Sequence, residues 1–144
     1  MTKKDIILYV LSIAHNNILS PVQIQKLLFL IDEEISYKID KGCKIFNFIA
    51  YDYGPFDKTV YDELQQLEQQ GLVETLYSAS GRKYQLKKTL EETDFNSLSE
   101  EVKSEIKSQC DFVQNCSFKE LLVNIYRKYP KMAINTAFPH WVTK

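Results

Sequence analysis

Residues 51–57, with the sequence YDYGPFD, most constrain what this chain can fold into. Gly54 and Pro55 end the element before them, because glycine adopts backbone angles that other residues avoid and proline has a fixed φ angle and no N–H group. Asp57 can then accept hydrogen bonds from the free amide groups at the start of a helix. The sequence therefore predicts a sharp turn that leads directly into a capped helix.

The helix predicted over residues 57–70 has a single apolar face. Val60, Leu64 and Leu67 recur at helical spacing, so we expect them to lie against the core. Gly71 follows at the position where a helix commonly ends in a left-handed residue. This pattern predicts an amphipathic surface helix of 14 residues.

A β-hairpin is predicted directly after this helix. Residues 72–77 and 83–86 form its two β segments, and residues 78–82 form the loop, in which Gly81 permits the chain to reverse. A helix followed at once by a hairpin is the second half of a winged-helix unit. The order of these elements therefore favours a winged-helix-like core.

Two helices are predicted before the turn. Residues 2–16 form the first, and its apolar side chains cover more than half of the circumference, which implies burial on nearly all sides. Ser20 as the cap, Pro21 at the first helical position and Gln23 at the capping-box position start the second helix. The predicted core face of the second helix consists of Ile24, Leu27, Leu28, Ile31 and Ile35.

The connecting segments differ in composition. Residues 38–44 are a polar connection, and residues 45–51 are predicted to be extended or β-rich. Two-residue periodicity places Phe46, Phe48 and Ala50 on one side of that extended segment. Residues 87–96 are an acidic linker after the hairpin.

Two more helices are predicted after the linker. Ser99 caps a helix that continues to about residue 114, and Ser117 with Glu120 forms a capping box for the last helix. Pro130 prevents the last helix from continuing. The predicted inner face of the first of these helices consists of Val102, Ile106, Cys110 and Val113.

These elements predict an α+β fold that is mainly helical. A winged-helix-like core of helices and a short β-hairpin occupies residues 1–88, and two additional C-terminal helices occupy residues 89–144. With 144 residues, of which 44% are hydrophobic, the chain can bury one ordinary core. We therefore expect a single domain over residues 1–144.

Charge and cysteine content limit the class of protein. Acidic and basic residues nearly cancel, 19 against 18, so no global field attracts nucleic acid or an anionic membrane. The apolar run at residues 6–11 is far shorter than the roughly 20 residues that span a bilayer. Cys43, Cys110 and Cys116 form no CxxC pair and are predicted to be reduced thiols. We expect a cytoplasmic protein without a metal site, a cofactor or a membrane span.

Binding to duplex DNA is an alternative interpretation of the helix and the hairpin. The helix before the wing enters the major groove in many DNA-binding proteins. Residues 57–70, however, carry four acidic residues against one lysine, and affinity for DNA depends largely on phosphate neutralisation. Nucleic-acid binding is therefore not favoured, and Arg82, Lys83 and Lys87 on or after the wing are its candidate residues.

Catalytic motifs are weak throughout the sequence. It contains no glycine-rich phosphate loop, HExxH helix or GxSxG elbow. Asp32, Glu33 and Glu34 are adjacent on a helix and diverge around it, so they do not form a carboxylate pair. The sequence therefore predicts a protein that is not an enzyme.

The aromatic residues around the Gly-Pro turn are the remaining functional signal. Tyr51, Tyr53 and Phe56 lie within six positions of one another. One interpretation is that they wedge the turn onto the core, and the other is that rigid tyrosines on the surface anchor a partner. The candidate partner-binding residues are Tyr51, Tyr53, Gly54, Pro55, Phe56 and Tyr61.

Two motifs carry a resemblance to a known family. Residues 25–30, QKLLFL, resemble its helix-two signature of a lysine followed by paired leucines and an aromatic residue, and residues 51–56 resemble its aromatic-Gly-Pro turn. Similarity continues from Val60 to residues 71–73, so that residues 5–88 resemble the SocA-type antitoxin domain, also called the Panacea domain. Tyr129 and Pro130, followed by Ala133, resemble the uncharacterised YwgA-like relatives of that family.

This resemblance implies a small bacterial or phage-associated protein that binds other proteins. The expected partner is a toxin encoded nearby, which the antitoxin neutralises. The resemblance brings no catalytic residues and no cofactor. Two alternatives remain: the chain forms a homodimer, or it is a winged-helix transcriptional regulator that binds DNA.

Overall fold

The computed structural model describes residues 1–39, 43–88 and 95–142, which form a mainly helical α+β fold with small antiparallel sheets. The helices of the described part are α1 (Lys3–Ile13), α2 (Pro21–Glu34), α3 (Ser36–Ile39), α4 (Lys58–Gln69), α5 (Glu100–Asn115) and α6 (Phe118–Lys128). The strands are β1 (Ile18–Leu19), β2 (Ile49–Tyr51), β3 (Gly54–Phe56), β4 (Val73–Ser78) and β5 (Gly81–Leu86). Short 3₁₀ helices lie at His15–Asn17, Pro130–Ala133 and Pro139–Trp141.

The strands form two separate antiparallel sheets. One contains three strands in the order β1-β5-β4, and the other contains only β2 and β3. The β4–β5 hairpin is tighter than predicted, because Ser78 pairs with Gly81 and only two residues remain in the turn. Gly81 has a φ angle of 109°, which side-chain-bearing residues rarely adopt. The prediction of a loop over residues 78–82 was therefore wrong at both ends.

Helix α1 is shorter than the predicted segment of residues 2–16. It ends at Ile13, and the following 3₁₀ turn contains Asn16 and Asn17 at φ angles of 59° and 57°. These left-handed residues redirect the chain into β1, a strand that sequence periodicity did not reveal because it is only two residues long.

The predicted extended segment of residues 45–51 is a strand only at β2. Its partner β3 contains Gly54 and Pro55, which the sequence assigned to a turn. Phe46 is buried and Asn47 is exposed, so the predicted alternation of faces is confirmed at these positions. The polar connection and the acidic linker were predicted partly over residues 40–42 and 89–94, which lie outside the described residues.

The core is built around α2. All five residues of its predicted core face are buried, and Phe29 and Leu30 on the opposite side are buried as well. Helix α5 packs on α1 and α2 through the inner face that the sequence predicted. Among the described helices, none has the length and apolar character needed to cross a lipid bilayer.

The predicted helix caps are confirmed. Ser20 and Ser117 each form a reciprocal capping box, with Gln23 and Glu120 respectively. Ser99 accepts a hydrogen bond from the backbone N–H of Val102 at 3.2 Å. Such caps depend on residues within one helical turn, which explains why local sequence was enough to identify them.

We expect Ser99→Ala to lower the free energy of unfolding by about 1 kcal/mol, because the Val102 amide loses its side-chain acceptor. The matched control is Ser104→Ala, which makes the same chemical change at an exposed position inside α5. That control is expected to stay within about 0.5 kcal/mol of wild type. Urea denaturation of the three proteins measures both effects, and equal losses would contradict the capping role.

Candidate partner-binding site

The β2–β3 hairpin presents two tyrosines to solvent. Tyr51 is 49% exposed and Tyr53 is 52% exposed, whereas Gly54 and Pro55 are buried beneath them. Gly54 has a φ angle of 87°, and a Cβ atom at this position would lie 3.0 Å from the Cδ2 atom of Leu122. Only glycine therefore fits both the backbone angle and the close approach to α6.

A row of aromatic rings extends from Tyr51 towards β5. Tyr51 stacks on Phe56 with ring centres 5.2 Å apart, and Phe56 lies 5.7 Å from the ring of Tyr61 on α4. The guanidinium carbon of Arg82 lies 5.2 Å from the Tyr61 ring centre, which is within cation–π range. The structure therefore brings a candidate nucleic-acid residue, Arg82, next to the candidate partner-binding residues.

A second group of aromatic rings surrounds Tyr53. Its ring lies 6.0 Å from Phe118 and 5.8 Å from Phe138, and Phe138 stacks on Trp141 at 4.0 Å. Sequence analysis missed these three partners, because they come from segments more than 60 residues further along the chain. We call the combined surface the aromatic face: Tyr51, Tyr53, Phe56, Tyr61, Phe118, Phe138 and Trp141.

Buried polar side chains of α2 hold the hairpin in place. Gln25 accepts a hydrogen bond from the backbone N–H of Asp57 and donates one to the backbone carbonyl of Asp57. Lys26 donates from its Nζ atom to the carbonyl oxygen of Pro55 at 3.0 Å. Asp32 accepts from the backbone N–H groups of Ile45 and Phe46. Helix α2 therefore fixes the chain on both sides of β2.

A small pocket opens between α2 and the hairpin. Its volume is about 120 Å³, and we call it the Lys26 pocket. Its lining among the described residues consists of Val22, Lys26, Tyr51, Tyr53, Gly54, Phe56 and Tyr61, of which Lys26 is the cation. The side chain of Lys26 belongs to a residue that is only 3% exposed. Burial lowers the pKa of Lys26 to about 7, because a charged ammonium group loses its hydration there.

The three candidate nucleic-acid residues do not share one face. Arg82 and Lys83 are neighbours on β5 and point to opposite sides of the sheet, because side chains alternate along a strand. Arg82 lies over Tyr61, and Lys87 follows the end of β5 as an exposed residue. On the last helix, Lys128 forms an ion pair with Glu34 at 3.7 Å.

The remaining candidate reactive groups are separate from one another. Cys43, Cys110 and Cys116 are all free thiols, and burial raises the pKa of Cys110 to about 11, which suppresses its nucleophilic thiolate at neutral pH. In residues 1–39, 43–88 and 95–142, no cluster of three or more His, Cys, Asp or Glu side chains is arranged to hold a metal ion. His15 is exposed in the 3₁₀ turn after α1.

Comparison with known proteins gives one family. The family described as antitoxin SocA-like, Panacea domain, matches residues 24–129. That range contains most of α2 and all of α3, the β2–β3 hairpin, α4, the β4–β5 hairpin, α5 and α6. It extends past residue 88, where the resemblance seen in the sequence ended. Neither the curated proteins nor the solved structures give a match.

Proposed function

This chain belongs to the family of antitoxin SocA-like proteins with the Panacea domain, and we propose that it binds and neutralises a partner protein without catalysing a reaction. Membership of this family supports a role of toxin–antitoxin type in general. The partner that we propose is a toxin encoded nearby, in a bacterial or phage-associated system that acts in the cytoplasm. The aromatic face is the observation that carries the proposal.

Rigid aromatic side chains that are half exposed suit a binding site. They bury a large area on association, and they lose little conformational freedom because neighbouring rings already fix them. Tyr51 and Tyr53 are fixed in this way by Phe56 and Phe138. Under this proposal the tyrosines contact the partner, and the buried Gly54 and Pro55 hold the tyrosines in position.

A winged-helix DNA-binding regulator is the second candidate function. Apart from α3 and the β2–β3 hairpin, which lie between α2 and α4, the elements follow the order α1, β1, α2, α4, β4, β5 with β1 beside β5. This order is the one expected of a winged helix and supports the proposed core of residues 1–88 within one domain. This function predicts duplex binding that weakens steeply as salt rises. A flat titration with duplex DNA at low salt would reject it.

Co-purification with the neighbouring gene product tests the first function. We expect the tagged chain to retain that protein and to relieve its toxicity on co-expression. We expect Tyr51→Ala combined with Tyr53→Ala to weaken the complex at least about tenfold, because both anchors lose their buried area. Calorimetry on the purified proteins measures this loss.

The matched control for this experiment is Tyr37→Ala. Tyr37 lies on α3, is 58% exposed and has no ring contact with the aromatic face. We expect its variant to bind like wild type, and circular dichroism should show that all variants are folded. A harmless neighbour that does not co-purify, or an equal loss in the Tyr37 variant, would contradict the proposal.

A further inference from the structure

We propose that the Lys26 pocket receives the side chain of a glutamate from the partner protein, with Lys26 as the counter-ion of its carboxylate. The source of the glutamate rests on the proposed function, whereas the preference of the pocket for a carboxylate does not. The volume, charge and rim of the pocket support this inference.

The volume of the pocket suits a single side chain. At about 120 Å³ it is well below the roughly 300–1,000 Å³ of sites that enclose small-molecule ligands. Its walls come from α2, the β2–β3 hairpin and α4, all of which are anchored to the core. A protruding side chain of a partner docked on the aromatic face can therefore enter the pocket without opening the fold.

The charge of Lys26 lacks an acidic counterpart. Its ammonium group carries three N–H donors, and the described structure gives it one acceptor, the carbonyl oxygen of Pro55. Among the described residues, no Asp or Glu lines the pocket or forms an ion pair with Lys26. A buried charge without a counter-ion is costly, so an incoming carboxylate relieves a cost that the free protein carries.

The rim of the pocket favours a carboxylate on a short apolar stem. Tyr51, Phe56 and Tyr61 contribute aromatic walls, which exclude water from an ion pair and so strengthen it. The methylene groups of glutamate pack against these rings while its carboxylate meets the ammonium group. Arg82, whose guanidinium carbon lies 5.2 Å from the ring centre of Tyr61, adds positive potential near the pocket.

The titratable side chains that line the pocket beside Lys26 are the phenols of Tyr51 and Tyr53 from the hairpin and of Tyr61 from α4. Tyr126 of α6 lies close to Gly54. Burial raises the pKa of Tyr61 and of Tyr126. Burial lowers the pKa of Lys26 to about 7, so its charge changes around neutral pH. Carboxylate binding favours its protonated form, so affinity should fall as the pH rises from 6 to 9.

Two capped tripeptides that differ in one charge test the inference on the full chain. The probe is acetyl-Gly-Glu-Gly-amide, and the matched control is acetyl-Gly-Gln-Gly-amide. We expect the glutamate peptide to shift the amide NMR signals of the β2–β3 hairpin saturably at pH 6, with an affinity at least about tenfold above that of the glutamine peptide. We expect this preference to shrink at pH 9 and to disappear in Lys26→Met.

Equal affinities for the two peptides in wild type would overturn the inference, and this comparison needs no variant. A third probe, acetyl-Gly-Gly-Gly with a free C-terminal carboxylate, tests whether the pocket prefers a chain terminus to a side chain. If it binds as tightly as the glutamate peptide, the assignment to glutamate is overturned. Selective peptide binding without a co-purifying partner would refute the proposed function alone. A partner that binds while the peptides show no preference would refute only this inference.

Discussion

Replacing Asp57 with alanine is expected to lower the free energy of unfolding by about 3 kcal/mol. One carboxylate oxygen accepts from the backbone N–H and the hydroxyl of Thr59, and the other accepts from the backbone N–H of Asn47 at 2.8 Å. Asp57 is only 5% exposed, so water cannot freely replace these bonds. Removing the carboxylate therefore removes both the cap of α4 and the hydrogen bond to Asn47 in the segment before β2.

Two further variants separate these contributions in urea denaturation. Asp57→Asn keeps one oxygen acceptor but turns an amide group towards the remaining donors. We therefore expect its free energy of unfolding to lie between those of wild type and the alanine variant. Asp62→Ala removes an exposed carboxylate from the same helix and should change stability by less than about 0.5 kcal/mol. If Asp57→Ala costs no more than Asp62→Ala, the double anchoring role is wrong.

The capped helices were predictable because each signal lies within one helical turn. Ser20 with Gln23 and Ser117 with Glu120 identified two starts, and Asp57 identified a third. The inner face of α5 followed from helical spacing alone. The second function of Asp57 was not predictable, since its hydrogen bond to Asn47 depends on how the preceding segment folds back.

The polar part of α2 shows where periodicity failed. The predicted core face left Gln25, Lys26 and Asp32 on the solvent side, yet all three are buried. Their partners lie 13 to 32 residues further along the chain, and a single-helix pattern contains no information on them. The signal that was overlooked is the unbroken apolar run of residues 27–31, which requires burial around the whole helix and so covers its polar residues too.

The candidate site was predictable only in part. The sequence left open whether the aromatic residues at the Gly-Pro turn pack on the core or face solvent, and in the structure Tyr51 and Tyr53 are about half exposed. The pairing of β2 with β3 was missed because glycine and proline are unfavourable in strands. Phe138 and Trp141 complete the aromatic face from the C-terminal region, a contact across the whole chain that sequence spacing does not reveal.

Lys26 is expected to destabilise the folded protein less at pH 9 than at pH 6. Burial lowers its pKa from 10.5 to about 7 in the folded state. Below pH 7 both the folded and the unfolded chain hold the proton, and the folded chain bears the full cost of a buried charge. Between pH 7 and 10.5 the unfolded chain binds more protons than the folded chain, so stability rises with pH in this window.

Lys26→Met isolates this contribution, because methionine fills a similar volume without a charge. At pH 6 the variant should be more stable than wild type, and its advantage should shrink by about 3 kcal/mol by pH 9, since one proton is worth about 1.4 kcal/mol per pH unit over the two units above pH 7. The hydrogen bond to Pro55 is stronger from the ammonium group than from the neutral amine, and this difference is part of the folded-state pKa of Lys26, so the comparison already includes it.

Urea denaturation of both proteins at pH 6 and pH 9 measures the change, with Lys58→Met as the matched control. Lys58 is exposed at the start of α4, so its variant should keep the pH dependence of wild type. If the stability difference between Lys26→Met and wild type stays constant from pH 6 to pH 9, burial does not lower the pKa of Lys26 and this prediction is wrong. The expected result would mean that the free protein tolerates a destabilising buried charge beside the Lys26 pocket. A carboxylate from a bound partner would remove that cost, because it supplies a counter-ion that residues 1–39, 43–88 and 95–142 do not provide.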